Sequence, residues 1–178
     1  TPLYALPHHE DGLHLTAISS EKLGRYFAKS IYLNEYEGNS NKPKSMTARL
    51  MSYVWGDDSI NLHISSPDRN LEVDTTTVLE APNLGFDIWI GGELLDIISH
   101  VEIVSGSDIL IHLAYPAPQG ATLTYGKGRP LDPNQGGPSK GPRGNIRDSH
   151  GEYFHYTDAH GEPQRLDNFL EMFEVKNH

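Results

Sequence analysis

The chain has 178 residues, with 24 Asp and Glu against 14 Lys and Arg, a formal net charge of -10 with His neutral. That charge repels phosphate backbones and anionic lipid surfaces, which argues against nucleic acid and membranes as partners. No apolar run is long enough to span a bilayer, the absence of Cys removes disulfides and thiolate metal sites, and 17 Gly with 12 Pro at a 37% hydrophobic share point to a turn-rich, mainly β body.

In chain order, residues 1–10 read as an extended approach held by Pro2 and Pro7. His8, His9 and His14 invite a metal reading, but adjacent side chains diverge and no carboxylate sits at zinc-ligand spacing, so neither metal nor cofactor is expected. Next comes Asp11-Gly12-Leu13-His14-Leu15-Thr16. An Asp three residues before a His, with a Gly between them, can aim both side chains at one spot. Residues 19–32 are the best helix, capped by Ser19 or Ser20, with Leu23, Tyr26, Phe27, Ser30 and Ile31 as its apolar stripe.

The polar, turn-rich residues 34–45 read as a linker and domain boundary. From Met46 the period changes to two, and short strands follow around 46–55, 60–64, 71–73, 75–79, 86–90, 101–104, 109–113 and 121–126. Residues 94–98 are ambiguous between strand and turn. Residues 126–151 read as a long loop rich in Gly, Pro, Lys and Arg. The alternating run 168–175 is expected to return beside the first strand. Short strands at this spacing mark a β-sandwich or barrel. Gly56-Asp57-Asp58-Ser59 is a turn, and Asp57, Asp58 and Asp132 lack the Asp-x-Asp-x-Asp-Gly spacing of a calcium loop.

The string from Asp11 to Thr16, followed by Lys22-Leu23-Gly24-Arg25-Tyr26, resembles the last block of the SGNH/GDSL esterases, and most of all their phage- and prophage-encoded sialate O-acetylesterase branch. The resemblance covers roughly residues 1–33. It implies that Asp11 and His14 are the acid and base of a Ser-His-Asp triad whose serine lies in a Gly-Asp-Ser block upstream. Residues 1–33 are then the end of an esterase domain, and residues 46–178 a jelly-roll-like β-sandwich. Segments 144–149, 156–158 and 166–169 resemble the end of sandwich domains attached to phage glycan esterases. On this reading the parent is a carboxylic ester hydrolase and the chain, without its serine block, is inactive alone.

The sandwich is then expected to bind sialylated or O-acetylated glycan, with the rest of the esterase domain as partner, in a secreted or virion-associated protein. Trp55, Trp89, Tyr153 and Tyr156 offer ring faces for sugar C–H groups, and Arg143 and Arg147 offer paired donors for a sialic acid carboxylate. Two alternatives stay open beside these: both tryptophans as sandwich core, and both arginines as partners of Asp148 and Asp158. At the level of the whole chain, a structural or homo-oligomerisation module of a phage tail protein and half of a split Ser-His-Asp esterase are the other readings.

Overall fold

The computed structural model describes residues 2–35, 47–66, 70–128 and 135–178. Helix α1 spans Ala17–Glu35. It begins at Ala17, before the expected Ser19, because Thr16 is the cap: its Oγ1 accepts from Ser19 N at 3.2 Å, and its carbonyl from Ser20 N. Ser19 turns back and donates to the Pro7 carbonyl at 2.6 Å. The helix runs through Asn34 and Glu35, so the rest of the expected linker, with Met46, lies outside the described residues.

The expected stripe of α1 faces two ways. Tyr26 is buried, whereas Phe27 is 64% and Ile31 59% exposed. Polar bonds hold the inner side of the helix. Tyr26 Oη donates to the Asp167 carbonyl at 2.6 Å, and Lys29 Nζ to the Leu166 carbonyl at 2.6 Å and Asn168 Oδ1 at 3.0 Å.

The body is a β-sandwich of two four-stranded antiparallel sheets. In chain order the strands are β1 (Arg49–Trp55), β2 (Ser59–Ser65), β3 (Leu71–Val73), β4 (Phe86–Ile90), β5 (Glu93–Leu95), β6 (Ile98–Ile103), β7 (Asp108–Leu113) and β8 (Thr122–Tyr125). Then follow β9 (Ile146–Asp148), β10 (His155–Thr157), β11 (Pro163–Arg165) and β12 (Phe173–Lys176). One sheet runs β1-β2-β7-β6 and the other β12-β8-β4-β5, with the pairs β3-β9 and β10-β11 beside them. Alternation drives the inward side chains Ile60, Leu62 and Ile64 of β2 and Ile109, Ile111 and Leu113 of β7 into one core with Phe86, Ile88, Leu123 and Tyr125. Among the described residues, no helix is long and apolar enough to cross a membrane.

Several elements differ from the sequence reading. Residues 75–79 form no strand, because Asp74 Oδ1 takes the amides of Thr76 and Thr77 at 2.8 and 2.6 Å and bends the chain. Residues 94–98 divide between the end of β5 and the start of β6. The stretch 126–151 contains β9, so it is not one loop. The last strand, β12, pairs with β8 in the second sheet and not with β1. Before it, the run meets the approach to β1 at the Ala48–Leu170 bridge and through Glu171, whose amide donates to the Ala48 carbonyl and whose carboxylate accepts from Thr47 Oγ1, then crosses to the other layer.

A buried polar knot joins these parts. The Asp148 carboxylate, with no exposed surface, accepts from Ser66 Oγ, His150 N, and Asn168 N and Nδ2 at 2.8–3.1 Å. Asn168 in turn receives Lys29. Burial pulls the Lys29 ammonium down to about 8, against the opposing pull of the Asp148 and Asp167 carboxylates. In the unfolded chain a lysine titrates near ~10.4, so the unfolded state binds more protons between these values. The Lys29 contribution to stability therefore rises with pH from about 8 to 10.4 by on the order of 2 kcal/mol, so the wild-type chain gains on Lys29→Met across that window. Urea midpoints at both ends of that window check this.

Candidate active site

Residues 8–15 form a small hairpin. His9 N donates to the His14 carbonyl at 2.8 Å, Gly12 N to the His9 carbonyl at 2.9 Å, and His8 bridges Leu15. Gly12 turns the corner at φ 68°, in the left-handed region that glycine enters freely. At the tip, Asp11 Oδ1 accepts the amides of Leu13 and His14, each at 3.0 Å. Its other oxygen, Oδ2, meets His14 Nδ1 at 2.7 Å. The His14 imidazole beside it, and then the two amides, hold the Asp11 carboxyl well below the usual carboxylate range.

The arrangement leaves Nε2 as the imidazole nitrogen for proton transfer, on a side chain 73% exposed. A carboxylate that fixes Nδ1 sets the tautomer a general base needs. Among the described residues, no serine or threonine hydroxyl is hydrogen-bonded to His14.

The sandwich side of the chain grips this hairpin. Gly136 N donates to the Gly12 carbonyl at 2.7 Å. A Cβ on Gly136 would lie 2.6 Å from that oxygen and 3.0 Å from His8 Nε2. A Cβ on Gly137 would lie 2.8 Å from His8 Nδ1, which sits 2.7 Å from the Leu6 carbonyl. Gly136 and Gly137 let the backbone come this close. In the sequence they read only as loop composition, and no spacing marks them as neighbours of Asp11. Below the hairpin, Leu15 joins Leu23, Phe154 and Tyr156 around buried Leu6, Tyr26 and Leu166.

The other expected site residues lie in different parts of the fold. Trp55, on β1, is half-buried and packs against the sandwich core. Trp89 lies on the opposite face of β4 from Phe86 and Ile88, half-buried, with Nε1 donating to Thr124 Oγ1 at 3.2 Å. Tyr153 is 60% exposed. Tyr156 is half-buried beneath the Arg25 guanidinium, 4.9 Å above its ring. Burial, and then the Glu21 carboxylate, push its phenol up from its ordinary value.

Arg143 donates to the carbonyls of Leu79, Gly141 and Glu80 at 2.7–3.1 Å. Arg147 pairs through Nε with Asp74 at 2.7 Å and through Nη1 with Glu72 at 2.9 Å and Asp167 at 3.3 Å, and Nη1 also donates to the Asp148 carbonyl. Asp158, the other suggested partner, is tied to its own turn through His160 N, Glu162 N and Gln164 Nε2. Both guanidiniums thus spend most of their donors on the chain itself.

No protein-family model matches the chain, and no curated protein matches it. Among solved structures, one described as a novel carbohydrate acetylesterase from Xanthomonas citri is similar, with a TM-score of 0.51 at 12% identity. The match covers 93% of this chain and 29% of that one, so the chain spans under a third of the neighbour's length. At that identity the likeness is one of fold.

The Asp11 carboxyl titrates below an ordinary aspartate, and His14→Ala moves it upward without restoring it, because the two amide donors remain. A depressed carboxyl stabilises the turn above its unfolded value, and that contribution is lost as acid protonates it. Carboxyl NMR across an acid titration reads both effects. Gly136→Ala drives the loop off the hairpin and destabilises the chain by about 1–3 kcal/mol, measured by thermal or urea unfolding.

Proposed function

We propose that the chain is part of a modular carbohydrate O-acetylesterase, with Asp11 and His14 as orienting acid and general base, and the β-sandwich as its glycan-recognition module. The observation that carries the reading is the 2.7 Å bond between Asp11 Oδ2 and His14 Nδ1 on an open surface. A serine from outside the described residues is the nucleophile. His14 Nε2 takes the serine proton as the oxygen attacks the acetyl carbonyl and gives it to the departing sugar oxygen. The acetyl-serine left behind is then hydrolysed to acetate by a water that the same nitrogen deprotonates, the proton returning to serine. Asp11 holds the tautomer and stabilises the imidazolium that forms.

Two features support the same reading. The Gly136–Gly12 bond ties the hairpin directly to the sandwich, so recognition and chemistry share one frame. The outward Phe27 and Ile31 of α1 suit the sheet of an esterase domain as their cover. Trp89 and Tyr153 are the aromatic faces proposed for sialylated or O-acetylated sugar. Trp55, Tyr156, Arg143 and Arg147 serve mainly as scaffold. The exposed α1 row equally favours a second reading, an assembly module of a phage tail protein, in which subunit packing covers it.

The chain alone is expected to leave an aryl acetate intact, while the protein carrying it together with a Gly-Asp-Ser block hydrolyses acetylated sialic acid. In that protein Asp11→Asn lowers kcat by about four orders of magnitude, and His14→Ala by a comparable factor. Titration of the chain with sialylated and O-acetylated glycans should give binding that Trp89→Ala or Tyr153→Ala weakens about tenfold. Flat titrations across both ligand sets, with self-association in sedimentation, would favour the assembly reading. Turnover by the isolated chain, abolished in His14→Ala, would place the nucleophile within it.

A further inference from the structure

The outer face of the first sheet carries a second group of histidines, remote in sequence from the Asp11–His14 turn. His100 and Glu102 are alternate residues of β6, and His112 lies directly across from His100 on β7. Alternation alone does not put His100 there. Ile98 and Val101 both pack against the core, and the register shifts between Ile98 and His100. The extra residue, Ser99, is exposed and donates to the His112 carbonyl at 3.1 Å. The bulge thus keeps two apolar side chains inside while His100 faces out.

The two imidazoles lie parallel, with ring centroids 3.9 Å apart and planes 10° apart. His112 Nε2 is 2.8 Å from Glu102 Oε1. One ligand atom from each of His100, Glu102 and His112 falls within a mutual distance of 4.8 Å. In a tetrahedral zinc site with metal–ligand bonds of ~2.0–2.1 Å, neighbouring ligand atoms stand about 3.3 Å apart. The His112–Glu102 pair opens slightly to reach that spacing and the widest pair closes, both by rotation of solvent-facing side chains on fixed strands. The strands are fixed because Ile109, Ile111 and Leu113 are anchored in the core on either side of the outward His112.

From this geometry we infer that His100, Glu102 and His112 form a surface site for a late first-row divalent cation, zinc above all. Two imidazoles and one carboxylate are a borderline donor set, which suits zinc, nickel or copper better than calcium or magnesium. Three protein ligands leave at least one coordination position for water or for an oxygen of a bound molecule. The chain's net negative charge favours any cation. Because β6 is the edge of its sheet, the ion would also staple that edge to β7. The inference stands independently of the esterase reading.

The same face supplies its own control. His63 on β2 and Asp108 on β7 are cross-strand partners, with Nδ1 and Oδ1 2.8 Å apart, and they make only a two-membered pair. Calorimetric titration of the chain with zinc sulfate in a non-chelating buffer should give a saturable site of one equivalent. In His100→Ala and in His112→Ala its affinity should fall at least about tenfold, and His63→Ala should leave it unchanged. In parallel, zinc should move the His100 and His112 imidazole resonances before those of the other histidines. Unmoved resonances at up to about 1 mM zinc, or wild-type affinity in both alanine variants, would overturn the inference.

Discussion

The Asp148 carboxylate is the constraint on which the arrangement turns. It has no exposed surface, so every lone pair must be answered from within the chain. Ser66, at the end of β2, the amide of His150 and both nitrogens of Asn168 answer it. Those groups come from three separate stretches, and Asn168 passes the connection on to Lys29 of α1. Hydrophobic packing alone would let the helix slide over the sandwich, because its best apolar side chains, Phe27 and Ile31, point away. Directional bonds from Tyr26 and Lys29 set its position instead.

The position of α1 in turn sets that of the Asp11–His14 hairpin, which runs directly into the helix through its Thr16 cap. The hairpin is held from the other side by Gly136. Asp11 and His14 are thus carried on backbone held from both sides while their side chains stay in solvent. A backbone-held pair with exposed side chains suits a site that another surface completes.

Much of this was legible in the residues. Alternation of Ile60, Leu62 and Ile64, and of Ile109, Ile111 and Leu113, marks inward faces that the sandwich does bury. Asp-x-x-His across a glycine turn marks a carboxylate and an imidazole that do meet. Where the reading failed, the deciding interactions were long-range. Phe27 and Ile31 have the right spacing for a buried stripe, but the polar partners of Tyr26 and Lys29 lie beyond residue 165 and rotate that stripe outward. The alternation of β12 reveals a strand without naming its neighbour, and Leu170 near Ala48 mimics the pairing that was expected. For Arg143 and Arg147 the sequence leaves a ligand carboxylate and local acidic partners equally open, and carbonyls and carboxylates from residues 72–80 take most of their donors. His100 and His112 meet only because of a bulge, which no local pattern announces.

The bonds that seat the N-terminal segment cross almost the whole length of the chain. Tyr4 reaches the Leu170 carbonyl over 166 residues, Tyr26 the Asp167 carbonyl over 141, and Lys29 the Leu166 carbonyl over 137. A ribosome working at ordinary speed needs roughly 10–30 s to supply the second partner of each bond. Through that interval the inner side of α1 waits for the residues that bond it, beside a growing set of strands. The Asp–His hairpin is therefore translated before the residues that lock it, and this delay is a direct cost of building the seat from residues 166–170.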